Sequence, residues 1–139
     1  MRIWLSSILY SLLLFFAPIK GIIVIVALST ILDTGFGIWR AKTLGEKLSS
    51  KAFRTGLVPK LLSYIGVVMA VYGSDVFIIN ALIKNIIDIE FMSTKIIALT
   101  LIINEAKSID ESFEAVKGYS FIDKTIQVVN NLKKIKKQL

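Results

Sequence analysis

Asp33 and Asp75 are carboxylates set inside long runs of apolar residues, and a charge at the centre of a membrane helix costs about 2.5 to 3.5 kcal/mol on insertion scales. Two arrangements answer that cost. Either acid can be neutralised at a helix contact by a proton or a basic neighbour, or both can line an aqueous path that forms when several copies assemble. Asn104 and Glu105 add a third polar pair at the end of a shorter apolar segment. The rest of the chemical toolkit is sparse. Cys and His are absent, which removes thiol nucleophiles, disulfides, imidazole acid–base chemistry and zinc sites built from those residues. No phosphate-binding glycine loop, nucleophile elbow, paired glycosidase-type carboxylates or internal repeat is present in the sequence. The expectation is a protein that is not an enzyme and takes no cofactor and no metal.

The elements that carry these residues follow from hydropathy. Of 139 residues, 55% are hydrophobic and 19% charged, with a mean hydropathy of +0.71, whereas soluble domains are about 45 to 50% apolar and about 25% charged. The apolar residues lie in runs that a water-soluble fold of this size could not all bury. The fold expected is an all-α integral membrane protein with four membrane helices, at about 3–19, 22–39, 61–83 and 92–108, followed by a basic amphipathic C-terminal helix. At 1.5 Å per residue the first three runs reach about 25 to 35 Å, matching a hydrocarbon core of about 30 Å. The short break Pro18-Ile19-Lys20-Gly21 predicts that the first two helices form an antiparallel hairpin. A cleaved leader is the competing reading of the first run, but no A-x-A site is present and a second apolar run follows at once. The fourth segment is short, eight residues from Ile96 to Ile103. It reads either as a span packed inside a bundle, extended through Phe91 and Met92 with Lys95 snorkelling, or as a helix that enters the membrane partway.

Basic residues set the orientation. Arg40, Lys42, Lys47, Lys51, Arg54 and Lys60 face a single acid, Glu46, in the loop 40–60, and Lys124, Lys133, Lys134, Lys136 and Lys137 face only Asp123 in the tail. The connection between Lys84 and Lys95 balances two bases against Asp88 and Glu90. The excess of Lys and Arg on one side places the loop 40–60 and both termini in the cytoplasm. The chain thus divides into a multi-pass membrane domain, 1–118, and a cytoplasmic tail, 119–139. The net charge of +7 reads as attraction to an anionic bilayer and topology setting, with no nucleic-acid partner. In the tail, Ile122, Ile126, Val129, Leu132, Ile135 and Leu139 fall at spacings of three and four, one apolar stripe under a lysine-rich face. Such a helix lies on the inner leaflet, packs against a partner's tail, or regulates assembly.

Small and polar residues recur at helical spacing. Ser29, Asp33 and Gly37 share one face, with Thr30 and Thr34 running alongside, and Gly66, Ala70 and Ser74 form a small-xxx-small ridge next to Asp75. Gly35, Gly37, Gly66, Ala70 and Ser74 are therefore the expected points of close helix packing, within one subunit or between subunits. Thr100, Asn104, Ser108 and Ser112 recur every fourth residue, predicting a polar side on the fourth helix that faces water in an assembly or in the cytoplasm.

The stretch Asp33-Thr34-Gly35-Phe36-Gly37-Ile38-Trp39-Arg40-Ala41, then Ser49-Ser50-Lys51, then Gly56-Leu57-Val58-Pro59-Lys60 resembles the core of the phage lysis and toxin-secretion holin family. Asn104-Glu105-Ala106-Lys107-Ser108-Ile109-Asp110-Glu111, running on to Gly118, is similar to that family's second block, and Asp75 sits where the family tends to carry an acid. The resemblance implies a homo-oligomer in the bacterial cytoplasmic membrane that permeabilises it abruptly for a partner endolysin, or in some relatives for another protein. Two other readings of the same residues are a small ion channel or transporter subunit relaying charge through Asp33 and Asp75, and a non-conducting scaffold or lysis inhibitor with a recruiting tail.

Overall fold

The computed structural model describes residues 2–47, 50–83, 86 and 88–138, and of residues 2, 3, 5, 50–55 and 132–138 it describes the backbone alone. Every described element is helical. α1 (Arg2–Phe16) passes through a 3-10 turn (Ala17–Ile19) into α2 (Lys20–Thr43). α3 (Ser50–Ser74) continues through a π-helical segment (Asp75–Ile79) into the short α4 (Asn80–Ile83), and α5 (Met92–Lys117) and α6 (Phe121–Gln138) complete the chain.

Helices α2, α3 and α5 pack pairwise into a three-helix bundle. Each presents one stripe to the others. On α3, Tyr64, Val68, Tyr72 and the following Asp75 are buried or half-buried at spacings of four, four and three. On α5 the buried positions Thr94, Ala98, Glu105 and Ser112 keep to a spacing of seven or its parts, the repeat that holds one helix face on a seam. Val26, Thr30 and Ala41 are the buried residues of α2. Ile19, Val26, Val68, Tyr72 and Ala98 form the apolar centre, flanked by Phe15, Phe16, Ile22, Tyr64 and Leu101. The outer surface is apolar as well. Ile25, Leu28, Leu32, Leu62, Ile96 and Leu99 are all half or more exposed, the distribution expected when lipid is the solvent and helix contacts form through packing and polar groups. Ser6–Thr43 and Gly56–Ile83 are each long and apolar enough to cross a membrane.

The structure departs from three expectations. First, α1 and α2 are joined end to end, not folded into a hairpin. Pro18 tightens the chain locally, since it lacks an N–H, but Lys20 is already right-handed helical and donates its N–H to the carbonyl of Ala17. Gly21 keeps an ordinary helical backbone, because the glycines with positive φ among the described residues are Gly45 and Gly118. Without a left-handed residue the break kinks the helix and does not reverse it. Second, the segment 40–60 is mostly helix: α2 runs to Thr43, Gly45 turns the chain at φ +73°, and α3 starts at Ser50. Third, the fourth segment runs further than the expected 92–108: it starts at Met92 and continues to Lys117. α5 has 26 residues, about 39 Å at 1.5 Å per residue, and of its polar side chains Thr94, Glu105 and Ser112 turn into the bundle.

Candidate functional site

The bundle holds two polar contacts separated by the apolar centre. Towards the end where α2 finishes and α3 begins, one ammonium serves two carboxylates: Lys60 Nζ of α3 lies 2.8 Å from Asp33 Oδ2 of α2 and 2.6 Å from Glu105 Oε2 of α5. The Tyr64 hydroxyl, one turn along α3 from Lys60, donates to Glu105 Oε1 at 2.9 Å. Glu105 is 1% exposed, so its charge is stabilised almost entirely by these two groups. A buried carboxylate without such partners would be strongly unfavourable. Because Asp33 comes from α2, Lys60 and Tyr64 from α3 and Glu105 from α5, the cluster ties all three helices together.

At the other end, Asp75 is fully buried and accepts two hydrogen bonds from Thr94, from its N–H at 2.7 Å and its hydroxyl at 2.6 Å. Thr94 stands in the first turn of α5, where backbone N–H groups lack helical acceptors and the helix dipole favours an anion. Asp75 therefore caps α5 from the end of α3. The left-handed Phe91, φ 54°, precedes that turn, and its ring packs edge-on against Tyr72, 5.0 Å between centroids. Glu105 and Thr94 are eleven positions apart on α5, about 16 Å, and the space between them is filled by Ala98, Val26, Val68 and Tyr72.

The expected site residues are thus divided. Asp33 and Glu105 come together, Asp75 is apart from them, and Asn104 is exposed on the outside of α5. Lys60, expected among the membrane-surface bases, is turned inward. Arg40 reaches Glu46 at 3.9 Å in an exposed pair, Lys42 and Lys47 are exposed, and the side chains of Lys51, Arg54, Lys133, Lys134, Lys136 and Lys137 lie outside the described residues. The ridge Gly66, Ala70 and Ser74 is exposed, and a Cβ on Gly35, Gly37 or Gly66 would meet nothing within 4 Å. Among the described residues, the glycines of these faces are not used for close helix approach. The reason is phase: Gly66 and Ala70 each precede an inward residue, Val68 and Tyr72, by two positions, about 200° around the helix. The polar row Thr100, Asn104, Ser108, Ser112 also splits, Thr100 and Asn104 outward and Ser112 inward, because each four-residue step overshoots a turn by about 40°.

Tyr64 and Thr94 were not singled out by sequence. The signal was available for Tyr64, since Lys60, Tyr64, Val68, Tyr72 and Asp75 form one row of α3 with polar groups at both ends. Thr94 lacked any such signal, because only the fold brings the start of α5 against Asp75.

Comparison with known families decides the identity: the family model described as the bacteriophage holin family matches residues 11–134. The chain belongs to the bacteriophage holin family. No curated protein and no solved structure matches it. The match spans α2, α3, α5 and α6 as far as Lys134, so the holin's Lys60 cluster and its Asp75 cap lie within the family's own extent, and the tail does so up to that residue. Membership makes this a membrane protein of phage lysis, and the lipid-exposed apolar surface of the bundle is the physical counterpart of that assignment.

Proposed function

We propose that this holin accumulates in the bacterial cytoplasmic membrane as a homo-oligomer and then permeabilises it, releasing an endolysin or another protein. The observation that carries the reading is the contrast between the protomer's inside and outside. Inside, Asp33, Glu105, Lys60 and Tyr64 satisfy one another and an apolar centre closes the bundle. Outside, the Gly66-Ala70-Ser74 ridge is open to a neighbouring helix, and small residues of this kind let membrane helices approach closely. A closed cluster of protomers keeps the polar groups dry. A ring opens when the contacts of Lys60 exchange for water and the acids of α2 and α5 face a shared lumen. Asp33 and Glu105 are the gating acids in this scheme, and Asp75 holds α5 in place. Moving one charge through the field is worth about 2.3 kcal/mol per 100 mV, enough to bias a poised equilibrium.

The topology that fits is multi-pass, with the basic ends of α2 and α3 and the tail 119–139 in the cytoplasm, and the membrane domain formed by 1–118. A fourth crossing by α1, with both termini in the cytoplasm, needs a reversal at Pro18, and the end-to-end path of α1 and α2 favours three crossings instead, by the apolar stretches that contain α2 and most of α3 and by α5.

The test is to induce the protein alone in bacteria and follow membrane potential and escape of a folded cytoplasmic reporter in the same cells. Abrupt depolarisation with reporter escape is expected. Depolarisation with the reporter retained would replace this reading with a narrow channel, and no change would replace it with a scaffold or lysis inhibitor.

A further inference from the structure

The tail helix is the largest feature that the hole-forming reading leaves unused. α5 ends at Gly118, whose left-handed backbone, φ +76°, only glycine adopts readily. The chain then folds back. Asp110, two turns before the end of α5, accepts hydrogen bonds from the Ser120 hydroxyl at 2.6 Å and from the backbone N–H groups of Phe121 at 2.7 Å and Ile122 at 3.3 Å. Those contacts satisfy the free donors that begin a helix and fix where α6 starts. Its first turn is brought to the level of Phe36 and Ile109, which line an apolar depression together with Phe113, Phe121 and Ile122.

That level is where aromatic residues gather. Phe36 meets Trp39 at 5.9 Å, Trp39 stacks on Phe113 at 6.2 Å, and Phe113 meets Tyr119 at 5.5 Å. A belt of Trp, Tyr and Phe beside Arg40 and Lys42 has the composition of a membrane–water boundary. Beyond its first turn α6 leaves the bundle, and every residue from Phe121 to Asn131 is exposed. Ile126 is 51% exposed and Val129 43%, so beyond Ile122 the apolar stripe is open among the described residues. Lys124, on the opposite side, is set over the Tyr119 ring at 3.5 Å; four of the last seven residues are lysine, and Lys133, one turn beyond Val129, continues the line of the stripe, where a long stem lets an ammonium rise to the headgroups.

We infer that α6 docks lengthwise on the anionic surface of the bilayer, its Ile122-Ile126-Val129 stripe sunk among the lipid headgroups and acyl ends and its lysines paired with lipid phosphates. Charge complementarity selects this occupant over a second copy of the tail. Two tails laid stripe to stripe bring ten lysine charges together against two aspartates, twice the five and one of a single tail, whereas an anionic leaflet attracts each basic residue near it by a factor of about five in the bound-to-free ratio. Depth agrees, since a helix that starts beside Phe36 starts at the interface. An amphipathic helix with a lysine-rich polar face is suited to that plane. The contact tethers the cytoplasmic end of α5, which carries Glu105.

Because the chain contains no cysteine, one introduced thiol reports on one position. The full chain carrying Ile126→Cys or, on the opposite side, Asn131→Cys is labelled with an environment-sensitive fluorophore and reconstituted into vesicles of phosphatidylcholine, with or without phosphatidylglycerol, that contain nitroxide-bearing lipids. Expected is strong quenching at position 126, weak quenching at 131, dependence on phosphatidylglycerol, and persistence on dilution into excess lipid. Replacing Lys133, Lys134, Lys136 and Lys137 by Gln should lower the bound-to-free ratio by about fivefold per lysine in contact. Equal quenching at both positions, or indifference to lipid charge, would overturn the inference. So would shielding of position 126 that vanishes on dilution, which would make a second tail the occupant. None of these readouts depends on hole formation or on which face is cytoplasmic, so the inference and the proposed function can fail separately.

Discussion

Lys60 is the residue on which the bundle's polar interior turns. Its side chain is 31% exposed while Glu105 retains 2%, so the ammonium lies at the rim of the cluster and the acid at its base. Two carboxylates around one ammonium leave a negative charge that a single proton or water must answer. Truncating the cation should therefore matter more than truncating either acid. For Lys60→Met we expect about 3 kcal/mol of lost protomer stability, the low end for a broken buried pair because Lys60 is partly solvated. Denaturation in detergent, followed by helical ellipticity, measures it, and cells should depolarise earlier than with the parent chain. Adding Asp33→Asn and Glu105→Gln to Lys60→Met should restore most of the stability. A stable Lys60→Met variant with unchanged timing would show that the cluster does not hold the helices. Asp75 differs in kind, since the partners of its Oδ2 are a helix-terminal amide and a hydroxyl, both from Thr94.

At the scale of the element, the joint between α5 and α6 is the place where pH acts outside the membrane. The Asp110 carboxyl is held below its ordinary value of 3.8, first by the Ser120 hydroxyl and then by the amides of Ile122 and Phe121, with desolvation opposing them. A carboxyl whose folded value lies below its unfolded value adds stability that is fully present above the unfolded value and disappears as pH falls through the folded one. The joint should be intact at neutral pH and loosen only in acid, as pH falls below the ordinary carboxyl range of about 4. Acidification should then speed hydrogen exchange at the Phe121 and Ile122 amides, and Asp110→Ala should give fast exchange at every pH. The opposite sign, faster exchange as pH rises with the intrinsic rate removed, would contradict the cap. Pro18 makes a second joint of another sort: the helix kinks there, and the absence of a left-handed residue keeps α1 in line with α2.

The whole molecule presents lipid with an apolar exterior and a neighbour with a row of small residues. Because a Cβ at Gly66 meets nothing within 4 Å in the protomer, Gly66→Leu should leave the fold of the single chain unchanged. If the ridge is where subunits meet, the same substitution should weaken that contact at least about tenfold, equivalent to ~1.4 kcal/mol. Crosslinking of membranes should show a shortened ladder of oligomers with the same ellipticity per residue, and onset of lysis should be delayed. An unchanged ladder would move the subunit contact to another face, with the Ile31-Leu32-Gly35-Phe36-Trp39 depression on α2 the next one to test.

What the sequence determined by itself was the class of solvent and the class of protein. Long apolar runs, absent Cys and His, and two blocks around Asp33–Lys60 and Asn104–Gly118 were enough for a helical membrane protein of the holin family, because hydropathy and local motifs are properties of neighbours along the chain. The locations of Asp33, Glu105 and Asp75 within apolar surroundings were legible for the same reason. Which acid meets which base was decided only in three dimensions. Lys60 counts as one more base of a positive stretch until α3 is rotated against α2 and α5, and a step of one residue turns a helix by about 100°, so inward Glu105 and outward Asn104 differ by a single position. The path at Pro18 and the turn that brings the start of α6 back to Asp110 were decided in the same way, by backbone conformation at Lys20 and Gly118. Tertiary structure settled these points because a helix has a definite phase only with respect to the helices packed against it.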